Sequence, residues 1–172
     1  MMKKTIEKAI NKQINAELWS GYLYLSMSSY FESINLPGFA NWMTMQAQEE
    51  VYHAMRLYNH VIERGGRVIL SAIDKVPSEW KSPLHVFEET YKHEQKVTVL
   101  IEDLVDLSEK EKDRATYNML QWFIDEQVEE ESSADDLVNK LKLVGENKSG
   151  LLMLDRDMAQ RTFNLDITAK SE

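Results

Sequence analysis

The sequence predicts an all-α chain: a four-helix up-down-down-up bundle with a long crossover between helices 2 and 3, followed by a short fifth C-terminal helix. Three observations lead there. Among 172 residues there are only six Gly and three Pro, while Glu, Lys, Leu, Met and Ala recur, so good helix formers dominate and strong breakers are few. Turn chemistry at widely spaced points cuts the chain into four long segments. Two of the three links between those segments are short and one is long, which sets the topology.

The first segment runs from about Lys4 to Ser33 and stops at Asn35-Leu36-Pro37-Gly38, a run of turn formers. The second spans about Phe39 to Arg64 and ends at Gly65-Gly66, a helix stop. Ser82-Pro83 opens the third, with Ser as cap and Pro at the first helical position, and it continues to about Leu107. The fourth starts near Asp113 and reaches about Val144, closed by Gly145. Leu151, Leu154 and Met158 then recur at helical spacing, giving a fifth helix over about 149–160. Residues 164–172 carry no periodicity and read as a loose tail. The whole, 1–172, is expected to be a single domain with its bundle over about 4–144.

Short links make the first and second helices, and the third and fourth, antiparallel hairpins. The link from Gly65 to Lys81 has 17 residues, which extended reach roughly 56 Å at about 3.3 Å each. A 26-residue helix is only about 39 Å long, so this link can run the length of the bundle and set helices 2 and 3 parallel. A repeat links the two hairpins: Glu17 to Glu50 and Glu94 to Gln127 are both 33 residues apart, and Glu17 to His53 and Glu94 to Glu130 both 36. Residues equidistant from a tight turn lie side by side, so each hairpin brings its polar residues to one level.

That level is where an apolar core should be. Residues seven apart on a helix share a face to within about 20°. The core series are Ile10, Glu17, Tyr24, Phe31; Leu36, Met43, Glu50, Leu57; Phe87, Glu94, Ile101; and, on the fourth helix, Phe123, Glu130, Leu137, Val144 beside Leu120, Gln127, Ala134, Leu141. A carboxylate or amide interrupts every stripe, and no Lys or Arg accompanies it. A buried, unpaired carboxylate costs several kcal/mol or stays protonated, and four together repel, so a cation is the economical resolution. Glu50-Val51-Tyr52-His53 sets a carboxylate and an imidazole three residues apart on one face. An oxygen-rich set with one imidazole suits iron or manganese better than calcium or structural zinc. A Glu from each of two helices with Glu-x-x-His on others is the di-iron carboxylate pattern, and ferritin-like proteins are the type example of that rule.

Composition removes several alternatives. There is no cysteine, hence no disulfide, thiolate metal site or iron–sulfur cluster. A formal charge of −9 without a basic stripe argues against nucleic acid as a partner. Charged and polar residues at Met1-Met2-Lys3-Lys4-Thr5 break any signal-like apolar run, and no stretch nears the roughly 18 to 20 apolar residues of a membrane span. The expectation is a cytoplasmic protein with no membrane partner.

At these residues the chain resembles bacterial and archaeal non-haem ferritins, from about Thr5 to Arg161. The resemblance is carried by Gln13-Ile14-Asn15-Ala16-Glu17, Gly21-Tyr22-Leu23-Tyr24-Leu25, Gln48-Glu49-Glu50 leading into His53-Ala54, Glu63-Arg64-Gly65-Gly66-Arg67, and Asp125-Glu126-Gln127-Val128-Glu129-Glu130-Glu131. It implies one iron on Glu17, Glu50 and His53 and a second on Glu50, Glu94 and Glu130, with Glu50 bridging. It implies a third, weaker iron site from Glu49, Glu126, Glu129 and Glu130. Gln127 would sit behind the ligands, with Tyr24 beside them as hydrogen-bond donor and electron source. The implied activity is oxidation of Fe(II) by O2 or H2O2, with storage of the ferric product inside a homo-oligomeric cage of 24 subunits, the fifth helix lining a fourfold axis. Bacterioferritins carry a haem-binding Met where Val51 stands and repeat Glu-x-x-His where this chain has Gln127-x-x-Glu130, so no haem is expected. Animal heavy chains place pore carboxylates where Tyr117 and Leu120 stand, which leaves the route of iron into the cage open.

Two other readings compete: a di-iron oxidase acting on an organic substrate, and an acidic structural bundle whose core Glu are hydrated. The remaining histidines favour plain roles. His60 reads as solvated, His93 lies about 100° around the helix from Glu94, and His85 sits near a helix start. Trp122 lies near the polar level, although core packing is its commoner use.

Overall fold

The computed structural model describes residues 2–163; the tail expected over 164–172 lies outside them. Five helices occur in the order α1 (Lys4–Ser33), α2 (Pro37–Glu63), α3 (Pro83–Lys110), α4 (Arg114–Val144) and α5 (Lys148–Met158). No strand occurs among the described residues, and none of the helices there is long and apolar enough to cross a membrane.

Turn chemistry acts where it was expected. Asn35 adopts a left-handed φ of 59° between α1 and α2, a conformation that Asn tolerates well, and Gly65 does the same at 70° after α2. The Ser82 side chain accepts from the His85 N–H at 3.1 Å with Pro83 first in α3, and Asp113 caps α4 through the Thr116 N–H at 3.2 Å. α2 differs. Its N-terminal neighbour Leu36 has no capping side chain, and Asp155 of α5 supplies the acceptor, taking the N–H groups of Gly38 and Phe39 at 2.9 and 3.0 Å. Gly38 therefore belongs to the helix rather than to the turn. A Cβ there would lie 1.6 Å from the Asp155 carbonyl oxygen, so only glycine lets α5 dock this closely.

The long link tracks α1. Asn11 bonds both Arg67 and Ile69, Asn15 reaches Ser71 and Ala72, Ser26 donates to Pro77 at 2.6 Å, and Tyr30 packs on Trp80 with ring centroids 5.4 Å apart. Link residue numbers rise with those of α1, so the link climbs the whole bundle and α3 starts at the end where α1 stops. Pairs such as Tyr24 with Glu94, and Gln46 with Glu130, then make α1 antiparallel to α3 and α2 antiparallel to α4. That is the up-down-down-up arrangement.

The core stripes point inward as the seven-residue spacing requires, except that Val144, the last residue of α4, is only half-buried. Ile10, Tyr24, Phe31, Met43, Leu57, Phe87, Ile101, Leu120 and Ala134 are fully buried. The apolar interior nevertheless falls into two clusters. One gathers Leu23, Met27, Phe31, Phe39, Met43, Phe87 and Leu141; the other gathers Ile6, Ile10, Leu57, Val61, Ile101, Leu120 and Phe123. Between them lies the polar layer.

Candidate metal centre

Helices α1 and α2 approach closely at mid-length because Gly21 has no side chain. A Cβ there would meet the Ala47 carbonyl at 3.3 Å and the Glu50 Cβ at 3.4 Å. That approach brings Glu17 beside Glu50, and the three-residue step along α2 brings His53 to the same place. One ligand atom from each of Glu17, Glu50 and His53 lies within 4.8 Å of the others, and all three residues are buried. His53 Nδ1 stands 3.7 Å from Glu50 Oε2, too far for a hydrogen bond. Gln13, one turn before Glu17, donates to Glu17 Oε1 at 2.9 Å. The remaining oxygens, Glu17 Oε2 and Glu50 Oε2, are buried without a hydrogen-bond partner. An orphaned buried carboxylate oxygen is costly, and two facing one imidazole form a donor set that fits a divalent cation.

Glu94 and Glu130 share the level but not that tight group. Tyr24 donates its hydroxyl to Glu94, and Gln127 donates to both the Glu94 carbonyl, at 3.2 Å, and its carboxylate, at 3.3 Å. Glu130 accepts from Gln46 at 2.6 Å. Each of these carboxylates is thus held by a neutral donor from a facing helix. The pairing of Glu94 with Gln127 and of Glu17 with Glu50 is what equal distance from the turn requires.

Electrostatics follow from burial. Glu17 is 1% exposed, and burial followed by repulsion from Glu50 pushes its carboxyl up to about 8. Burial raises Glu50 well above the carboxylate range, and Glu94 and Glu130 add repulsion. Glu130 is pushed up to about 8 by burial and by Glu94; Glu94 rises less, to about 7, because Tyr24 and Gln127 hydrogen-bond its charged form. Burial, and then Glu94, also drive the Tyr24 phenol well above its ordinary value. Four protonatable carboxyls therefore sit in one layer with no Lys or Arg among them.

The outer carboxylates are arranged differently. Glu49 and Glu126 are half-buried and Glu129 is exposed. Glu49 is gripped by Arg161, and burial nonetheless leaves its carboxyl raised. Of the three consecutive acids, Glu130 alone is buried. His60, expected to be solvated, is instead buried, with Nε2 3.0 Å from the Thr116 hydroxyl. His93 turns away from the polar layer to Ser20, at 2.7 Å, and burial lowers it to about 4. Trp122 packs edge-on against His53, centroids 5.4 Å apart, beneath the Arg56 guanidinium. Sequence reasoning left Gln13, Gln46 and Arg161 without a role. The first two carry a signal that was readable: an amide one turn before each of Glu17 and Glu50. Arg161, far along the chain, carried none.

A long-crossover helical bundle interrupted at mid-height by carboxylates and one imidazole is a four-helix bundle with a candidate metal centre. The model of the ferritin-like domain matches residues 7–144, so the chain belongs to the ferritin family. It is 45% identical over 161 residues to a bacterial non-heme ferritin of Bacteroides fragilis (strain 638R), covering 94% of this chain and all of that one. A bacterial non-heme ferritin of Staphylococcus aureus (strain USA300) is 33% identical over 164 residues, with 95% and 99% covered. Among solved structures, the open pore ferritin of the hyperthermophilic archaeon Archaeoglobus fulgidus superposes with a TM-score of 0.94 at 55% identity, covering 94% of this chain and all of that one. A closed form of the same ferritin, engineered by site-directed mutagenesis, gives 0.95 at 54% identity, covering 95% and 100%.

Proposed function

We propose that this protein stores and detoxifies iron, oxidising Fe(II) to Fe(III) with O2 or H2O2 at an intra-subunit di-iron centre and depositing the ferric product inside a cage of its own copies. The observation that carries the reading is the buried Glu17, Glu50 and His53 group with its two partnerless oxygens. Family membership supports iron as the cargo. The cage of 24 subunits, the cytoplasmic setting, and the extent of the domain, with α5 part of it, belong to the same reading.

In this scheme Glu17, Glu50 and His53 hold one Fe(II), and Glu50, Glu94 and Glu130 the second, with Glu50 between them. Iron binding displaces the protons that burial keeps on these carboxyls. The balance per turnover is two Fe(II) each losing one electron, one O2 gaining both, and two protons taken up to give H2O2. Tyr24 and Gln127 orient Glu94, while Gln46 orients Glu130. Glu49, Glu126, Glu129 and Glu130 form an outer site that takes a third iron and passes it towards storage. The alternative of an organic substrate is less well supported, because apolar side chains pack above and below the layer.

Aerobic titration of the iron-free protein with Fe(II), following ferric absorbance and particle size together, tests this. Fast oxidation of about two irons per chain, followed by accumulation of many more in one large soluble particle, is the expected result. Oxidation no faster than in buffer would sink the proposal, and an early stop in a small particle would remove storage.

A further inference from the structure

Arg161 lies just beyond α5, a whole element away from the polar layer in sequence, yet its guanidinium reaches Glu49, one of the outer carboxylates. One nitrogen pairs with Glu49, and another donates to Gln46 Oε1 at 2.7 Å. The buried Gln46 passes the contact on, donating from Nε2 to Glu130 Oε2 at 2.6 Å. The guanidinium lies over the Trp42 ring, 4.2 Å from its centroid, and Asn41 donates to the Arg161 carbonyl at 3.0 Å. With Asp155 anchoring α5 on the start of α2, the arm that carries this charge is pinned at several points.

We propose that Arg161 is a resident counter-cation of the outer carboxylates, a positioning residue that keeps the third iron site weak so that iron passes through rather than lodging there. The proposal rests on the reading of Glu49, Glu126, Glu129 and Glu130 as a cation site. A guanidinium and a metal ion compete for the same carboxylate oxygens, and Glu49 is already engaged. Trp42 and Asn41 hold Arg161 in place, so an arriving ion draws Glu49 across while the guanidinium stays nearby and keeps repelling it. Release of the ion returns Glu49 to Arg161.

The test is anaerobic Fe(II) titration of the assembled protein by calorimetry, comparing wild type with Arg161→Gln, Arg161→Met and Arg161→Lys. Met keeps an apolar stem against Trp42, so a fold that rejects Gln can still be probed; melting curves identify any variant lost to misfolding. The expected result is a third binding event tightened roughly tenfold in either neutral variant and restored to wild-type strength by Lys, with the first two events unchanged. A third event of equal strength in all four proteins overturns the counter-cation role and leaves the outer site standing. Absence of a third event from every protein removes the outer site, and the role of Arg161 with it. A shift of all three events together would make Arg161 an ordinary structural contact and also overturn the proposal.

Discussion

Glu49 and Glu50 are consecutive residues of α2, yet Glu50 is buried at the bundle midline with one oxygen partnerless, whereas Glu49 is half-buried and paired with Arg161. About 100° of helical rotation separates them. On the inner side two hairpins press carboxylates together with no Lys or Arg among them, so burial and mutual repulsion raise every one of them. On the outer side water and a guanidinium already share the charge. The contrast teaches that an acidic residue's use in this fold depends on which face of α2 or α4 it occupies. In the proposed scheme the inner layer binds and oxidises iron, and the outer one passes it on.

The largest effect should come from the inner side. Glu50→Gln keeps the shape but removes the proposed bridge, and fast Fe(II) oxidation should fall by roughly 100-fold or more in stopped-flow absorbance. The iron-free variant should melt at a higher temperature than wild type at pH 8, because a carboxylate without a partner has gone. A variant that oxidises iron at the wild-type rate would remove Glu50 from the chemistry.

Next comes pH. Glu17, Glu94 and Glu130 have ordinary values of 4.5 and folded values of about 8, 7 and 8. Between those limits the folded protein holds protons that the unfolded chain has lost, so their contribution to stability is fully present below 4.5 and is lost as pH rises towards 8. Melting of the iron-free protein should therefore become easier from about pH 5 to pH 8 through this layer. Saturating Zn(II), which binds without redox chemistry, should flatten that slope and release protons, as titration in weakly buffered solution would record. A slope of opposite sign in the iron-free protein, flattened by Zn(II), would contradict the layer's assignment.

Tyr24→Phe should have a smaller effect. Glu94 loses the hydroxyl that holds its carboxylate, and binding of the second Fe(II) should weaken roughly 10- to 100-fold while the first is kept. Equal weakening of both ions in anaerobic calorimetry would mean that Tyr24 serves the whole layer rather than Glu94. The smallest effect belongs to Glu129→Gln on the exposed outer face. Initial two-iron oxidation should be unchanged within error, and only the later uptake should slow. Loss of the initial phase in that variant would erase the distinction between inner and outer carboxylates.

Much of this was legible along the chain. Helical propensity and turn chemistry are local, so α1, α3 and α4 begin and end within a few residues of where the sequence places them. The seven-residue spacing of Glu17, Glu50, Glu94 and Glu130 within apolar stripes predicted their burial, because face membership depends only on the helical repeat. The length of the long link allowed the parallel placement of α2 and α3. Tertiary structure alone decided the rest. Contacts between residues about 115 apart, such as Asp155 capping α2 and Arg161 reaching Glu49 and Gln46, have no periodicity to announce them. Gly38 looked like part of a turn until α5 packed against it, and His60 looked solvated until Thr116 of α4 closed over it. A repeat along one helix says which way a side chain faces; which partner it meets there depends on how separate helices dock, and that is set by packing across the whole bundle.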